Sequence, residues 1–181
     1  KQTAVASGVT APKIVGDVRF GAGNDIFDIA DGTMDGTSSF GAGDNRLNLS
    51  GDAIYTGKAN FGAGNDTMAL SGTSAFKGSV DFGGGSDVMT IGGSSVFSGS
   101  LANAQGLAVT ASGGVFDVVG SAKIASLTVN NKGIIGVTVG GTNMTGIEVS
   151  GAASFDTDSK LAIQLSNIAN AEGKHVVITA G

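Results

Sequence analysis

An all-β solenoid, a parallel β-helix, is the fold class that three observations on the sequence predict. The phrase Phe20-Gly21-Ala22-Gly23-Asn24-Asp25-Ile26-Phe27-Asp28-Ile29 returns in altered form from Phe40, Phe61 and Phe82, in nearly even steps. A period of about 20 residues, with one turn per unit, marks a coil whose units bury their apolar faces by stacking on one another. Each phrase ends in an alternation of large apolar with small or polar residues, the pattern of a half-buried strand. Finally, Gly supplies 32 of 181 residues and Pro one, while 41% of the chain is hydrophobic and 14% charged. That composition fits neither collagen nor disorder and suits short strands joined by tight turns.

Residues 1–15 hold the single proline, Pro12, among scattered apolar positions, and are expected to form a partial rung or cap. Rungs with the Phe-Gly-Ala-Gly-Asn-Asp turn are expected over 16–105. Gly16, Gly36, Gly57, Gly78 and Gly99 keep the period, and in the first four cases Phe follows at the fourth position after the Gly. Two positions ahead of the later glycines stand Met34, Tyr55, Phe76 and Phe97, so each unit has two large-residue columns with a Gly turn between them. The seventh and ninth residues after each Phe add two more columns: Phe27, Leu47, Met68, Met89 and Ile29, Leu49, Leu70, Ile91. Stacked about 4.8 Å apart, such positions become ladders, and Phe20, Phe40, Phe61 and Phe82 form a structural one worth about 0.5–1.5 kcal/mol per contact beyond area burial.

After Gly99 the phrase lapses. Leu107-Ala108-Val109, Leu127-Thr128-Val129 and Ile147-Glu148-Val149 nevertheless follow one another at an even interval close to the earlier period. They predict further rungs of changed cross-section over 106–150. The step into them, from Met89 to Leu107, is shorter than the rest and implies a shortened corner at Asn103-Ala104-Gln105-Gly106. Residues 151–181 are expected to cap the end with two strands, Leu161–Leu165 and Val176–Thr179, joined by a hairpin loop or connector over 166–175. The sum is about seven rungs of roughly 20–21 residues, a rod of about 35 Å.

Function is less legible. The net charge is −5 with no basic patch, which argues against nucleic acid as partner. No Cys is present, and no apolar run reaches transmembrane-helix length. The first residue is Lys1 with no apolar leader after it, so the chain is expected to be a processed piece. His175 is the sole histidine, which disfavours a zinc site or a His-based triad. The only arginines, Arg19 and Arg46, stand in different columns, and Asp28, Asp81 and Asp117 form no evident pair. A polysaccharide-cleaving site of carboxylates and basic residues is therefore disfavoured, and the chain is expected not to be an enzyme. Nor does a helix start or a Lys-Ser/Thr pair follow the Gly-x-Gly turns, as a phosphate loop needs.

From its second Gly onward, Gly-Ala-Gly-Asn-Asp-x-Phe resembles the calcium-binding nonapeptide of RTX proteins. The resemblance implies Asp25, Asp66 and Asp87 as calcium ligands, with Asp44 from the reversed pair Asp44-Asn45. Phe replaces the first Gly, and only one turn occurs per rung. Carboxylates stacked about 5 Å apart repel by about 0.8 kcal/mol in water and about 3 kcal/mol at a dielectric near 20. Because the column runs Asp25, Asn45, Asp66, Asp87, only one acidic pair is adjacent and no cation is demanded. Exposed turns in which Asn and Asp bond their own backbone are the alternative.

The repeated phrase, together with Gly146–Phe155, Ser159-Lys160-Leu161 and Gly173–Ala180, resembles passenger regions of Gram-negative autotransporters. That resemblance implies a right-handed coil displayed outside the cell, a structural or adhesive role, and an outer-membrane β-barrel following in cis. A stalk of this type is expected to meet a host or neighbouring cell surface, and to associate end to end through its open strand edges.

Overall fold

The structure, a computed structural model, describes residues 1–3, 5, 6, 8–140, 144–167 and 172–181. Every strand-to-strand pairing in it is parallel, and no helix occurs among the described residues. The chain coils as a β-solenoid, a parallel β-helix, as the repeat predicts. One sheet of nine strands starts with Lys13–Val15 and Val18–Arg19, both laid on Thr33–Ser39. It continues through Ile54–Asn60, Ala75–Asp81, Val96–Ala102, Val115–Val118 and Ile134–Val139 to Lys160–Leu165. A second sheet of seven strands runs from Ile26–Ile29 to Ala153–Phe155, six steps of the coil.

The register between rungs is the one the repeat dictates as far as Ile91. Phe27 lies on Leu47, Leu47 on Met68 and Met68 on Met89, with Ile29, Leu49, Leu70 and Ile91 beside them. All eight point inward and are buried. On the opposite side Met34, Tyr55, Phe76, Phe97 and Phe116 form one column. Tyr55 and Phe76 stack at 5.0 Å, Phe76 and Phe97 at 5.5 Å. The second aromatic ladder is the expected one: Phe20–Phe40 at 4.7 Å, Phe40–Phe61 at 4.8 Å and Phe61–Phe82 at 5.3 Å, with ring planes within 12°. Aromatic side chains bury the most area per residue, so two such ladders dominate the core energetics.

The Gly36, Gly57, Gly78 and Gly99 column forms no turn between strands. It lies inside long strands, where glycine faces glycine from rung to rung. Gly57 and Gly78 have φ of 134° and 146°, and a Cβ there would sit 1.9 and 1.8 Å from the carbonyl oxygen of the preceding rung's glycine. The column is therefore a bend within the sheet that only glycine permits.

Beyond Ile91 the structure departs from the spacing argument. Met89 pairs with Val109 and Ile91 with Ala111, so the Asn103–Gly106 corner barely shortens the second sheet's step relative to that from Met68 to Met89. Leu107, expected over Met89, is buried in that corner instead and bonds Ala104 O through its N–H. The marked shortening falls one rung later, between Ala108 and Ser126. Ile147-Glu148-Val149 does not continue that column; it pairs with Ala122-Lys123-Ile124 in a third sheet of Ser121–Ile124, Gly146–Val149 and Ile178–Ala180. The second sheet's next step lengthens, and Leu127 pairs with Ala153. Lys160–Leu165 and Ile178–Ala180 belong to different sheets and make no hairpin. The segment proposed to join them lies partly, at 168–171, outside the described residues.

At the start, Gln2 bridges Ile29 of the second sheet and Lys13–Val15 pairs with Thr33–Asp35 of the first. At the far end Lys160–Leu165 is exposed along its whole length.

Candidate functional site

The corner after each ladder Phe is where polar side chains concentrate, and two columns rise through it side by side. In the outer column Asn24 Oδ1 accepts the Asp44 N–H (2.8 Å), Asp44 Oδ1 the Asn65 N–H (2.7 Å), and Asn65 Oδ1 the Ser86 N–H (2.8 Å). In the inner column Asn45 Oδ1 accepts the Asp25 N–H (3.1 Å), Asp66 Oδ1 the Asn45 N–H (2.8 Å), and Asp87 Oδ1 the Asp66 N–H (2.9 Å). The corners are thus tied from rung to rung, and Asn45 also bonds within its own turn, through Nδ2 to Gly41 O and Gly43 O, as the sequence predicts. Buried amide groups need partners, and each inner side chain supplies one across the rung gap.

The inner column is not an exposed turn. Asn45, Asp66 and Asp87 are each 1% exposed. The second Gly of each loop turns the chain there: Gly43, Gly64 and Gly85 have φ of 117°, 145° and 136°. This conformation carries the next two side chains one outward and one inward.

Of the four acids considered as calcium ligands, Asp25, Asp66 and Asp87 share the inner column and Asp44 stands in the outer one, its Oδ1 engaged by the Asn65 N–H. Asn45 separates Asp25 from Asp66, so the four do not converge on one point. No group of three or more His, Cys, Asp or Glu is placed to hold an ion among the described residues. Each inner acid nevertheless leaves Oδ2 buried and without a partner. Burial raises the Asp66 carboxyl above the ordinary aspartate value, against the lowering effect of its bonds from Asn45, and Asp87 and Asp44 push it the same way. Burial raises Asp87 as well.

A second acidic juxtaposition escaped the repeat argument although it obeys the period. Asp31 and Asp52 stand on neighbouring rungs, between the Ile29–Leu49 and Thr33–Ile54 pairs, and their carboxyls interact. The bond from the Val5 N–H holds Asp31 below the ordinary value, while the contact with Asp31 raises Asp52. Asp31 also accepts the Gly32 N–H at 2.7 Å. Both acids lie outside the Phe-centred phrase, which is why the phrase did not bring them to notice.

Elsewhere on the surface, Ser121, Lys123, Gly146, Glu148, Val176 and Thr179 help to line a concavity of about 450 Å³ over the third sheet. Lys123 and Glu148 pair across it at 2.8 Å. His175 is half-buried with Nε2 unpartnered. Arg46 lies outside the core and donates through Nε to Asn48 Oδ1 at 2.8 Å, and Asn48 in turn donates to Asp28 Oδ1. Arg19 sits 3.8 Å from Asp17. Asp81 accepts from Asn103 and Asp117 from Ser98, so these acids serve as ties between rungs. The outer face of the second sheet runs Asp28, Asn48, Ala69, Thr90, Thr110, Thr128, Ser154, short side chains standing rung over rung.

Comparison of the chain with known family models, curated proteins and solved structures found no match to any of them.

Proposed function

We propose that this chain is a non-enzymatic β-helical stalk, the passenger type of segment that a Gram-negative cell displays on its surface, and that its lateral faces make adhesive contact. The observation that carries the reading is the unbroken stacking of the core. The Phe20–Phe82 and Tyr55–Phe116 ladders fill the coil from rung to rung. A coil packed in this way is a rigid rod whose free surface is its sides. The short Thr, Ser, Ala and Asn side chains on the second sheet present a flat polar strip along that rod. Its likeness to autotransporter passengers supplies the compartment: outside the cell, with an outer-membrane β-barrel in cis.

Antibody raised against the purified chain tests the location. Intact source cells should bind it, and external protease should abolish the signal; signal only after lysis overturns the reading. Binding of the purified chain to cell layers tests the role. Glutamate placed together at Thr90, Thr110 and Thr128 should reduce binding at least tenfold without altering the circular dichroism spectrum. Equal binding by the folded variant removes this face as the adhesive one.

A further inference from the structure

Asn45 shows what the inner corner position requires. Its Oδ1 accepts the N–H of the rung before, and its Nδ2 donates into its own loop, to Gly43 O at 2.7 Å and Gly41 O at 3.2 Å, and onward to Asp66 Oδ1 at 3.0 Å. Asp66 and Asp87 occupy the same position one and two rungs on, and their Oδ1 atoms accept in the same way. Their second oxygen, Oδ2, stands where Asn45 has its amide nitrogen, and it is buried without a partner. An ionised carboxylate is acceptor-only, so in a place built for a donor facing loop carbonyls it would meet acceptors with an acceptor. A carboxylic acid has the donor that the site calls for.

We propose that Asp66 and Asp87 are proton-binding sites of the folded coil, each carrying a hydrogen on Oδ2 and donating it to the loop carbonyls as the Asn45 amide does. The step is a protonation from solvent, one H⁺ per carboxylate, with no other bond made or broken. The groups packed around the pair favour it. Facing Asp66 are the Asp44-Asn45 corner on one side and the Ser86-Asp87 corner on the other, and its charged neighbours, Asp44 and Asp87, are both acids. Asp87 faces Asp66 below and the Ala104-Gln105-Gly106 corner above, which holds no titratable group. Burial acts in the same direction on both. The coil is thereby a pH-responsive element. A folded-state carboxyl that keeps its proton above the unfolded value of about 3.9 stabilises fully below that value, and the contribution is lost as pH rises toward the folded-state pKa.

Carbon-13 NMR of the aspartate carboxyls of the wild-type chain tests this without any variant. Followed through the acid range, Asp66 and Asp87 should each keep the protonated shift to a pH above the ordinary aspartate value of about 3.9. The double variant Asp66→Asn/Asp87→Asn should melt higher than wild type at neutral pH and lose most of the wild type's decline in melting temperature as pH rises above about 4. Ordinary midpoints for both carboxyls overturn the proposal, as does a double variant that melts lower at neutral pH. Calcium chloride supplies the third arm: a melting temperature raised by calcium in wild type but not in the double variant puts a cation, and not a proton, at Oδ2.

Discussion

Asn45 stands directly beneath Asp66 in the inner corner column, and the two are joined twice, from the Asn45 N–H at 2.8 Å and from Asn45 Nδ2 at 3.0 Å, to the same oxygen. That one amide separates an otherwise acidic column into Asp25 on one side and Asp66 with Asp87 on the other. It is the point at which sequence, packing and charge meet most closely.

Replacing that amide isolates its effect. Asn45→Asp removes the donor to Gly41 O, Gly43 O and Asp66 Oδ1 and extends the run of carboxyls through every rung of the column. The loss of a buried, satisfied donor costs about 1–3 kcal/mol. Chemical denaturation at neutral pH should show that loss, and most of it should be recovered near pH 4, where the introduced carboxyl can hold a proton and donate. A variant as stable as wild type at neutral pH contradicts the donor role of Asn45.

Tyr55 is the only tyrosine, and no tryptophan is present, so its ionisation can be followed by absorbance alone. Its hydroxyl accepts the Ser38 N–H (2.9 Å) and donates within reach of Lys58 O (2.6 Å) and Ser38 Oγ (2.9 Å), locking the bend around Gly57. Burial raises its pKa above the ordinary phenol value of 10.0. A raised folded-state value keeps the proton on the native chain after the unfolded chain has ionised. Stability from this group is therefore intact below about pH 10 and falls as pH rises beyond it. Spectrophotometric titration should give a midpoint above that of free tyrosine, coinciding with unfolding. Tyr55→Phe should cost about 1–3 kcal/mol, because the buried Ser38 N–H is left without that partner.

Much of this architecture is readable from the sequence because identical positions stack on identical positions. Phe20, Phe40, Phe61 and Phe82 announce the ladder, and Leu47 over Phe27 follows from counting alone. The counting fails where the coil changes its perimeter. Leu107, Leu127 and Ile147 are evenly spaced, yet three different environments hold them: a corner, the second sheet and the third sheet. Equal spacing shows equivalence only while every rung sends its strands to the same sheets, and the third sheet is an addition. Thr145 marks that addition. Fully buried, it accepts the Thr138 N–H and donates to Val118 O, a tie that no local pattern around Met144 and Thr145 signals. The inner corner was legible as residue type but not as burial, since Asp and Asn in Gly-rich turns ordinarily face water.

The aromatic ladder gives a prediction that depends on position. Phe61 lies between Phe40 and Phe82 and is 5% exposed, while Phe20 caps the ladder, half-buried, with a stacked neighbour on one side only. Phe61→Ala should cost about 3–5 kcal/mol, the usual range for emptying a packed aromatic site. Phe20→Ala should cost clearly less, since the cavity opens to solvent and only one ring of the ladder is lost as a partner. Equal losses by denaturant titration would mean that ring stacking through the rungs contributes little beyond burial.

Two glycines that look alike in the sequence should respond oppositely to one methyl group. At Gly78 the backbone φ is 146° and a Cβ would fall 1.8 Å from Gly57 O, a distance no side-chain rotation can relieve because the backbone fixes the Cβ and the oxygen is itself backbone. Opening the contact means separating two rungs of the nine-stranded sheet, so Gly78→Ala should cost at least about 3 kcal/mol, combining backbone strain with lost ladder bonds. Gly84 lies in the corner loop, its φ is outside the left-handed region, and nothing lies within 4 Å of the Cβ it would gain. Gly84→Ala removes chain entropy from the unfolded state without touching a neighbour, so it should be neutral or stabilising by up to about 1 kcal/mol. The loop already carries Ala at the equivalent positions, Ala22, Ala42 and Ala63. Thermal unfolding of the two variants side by side checks the pair. A tolerated Gly78→Ala would show that the bend relaxes in solution to ordinary extended backbone, and the glycine column would then serve packing only.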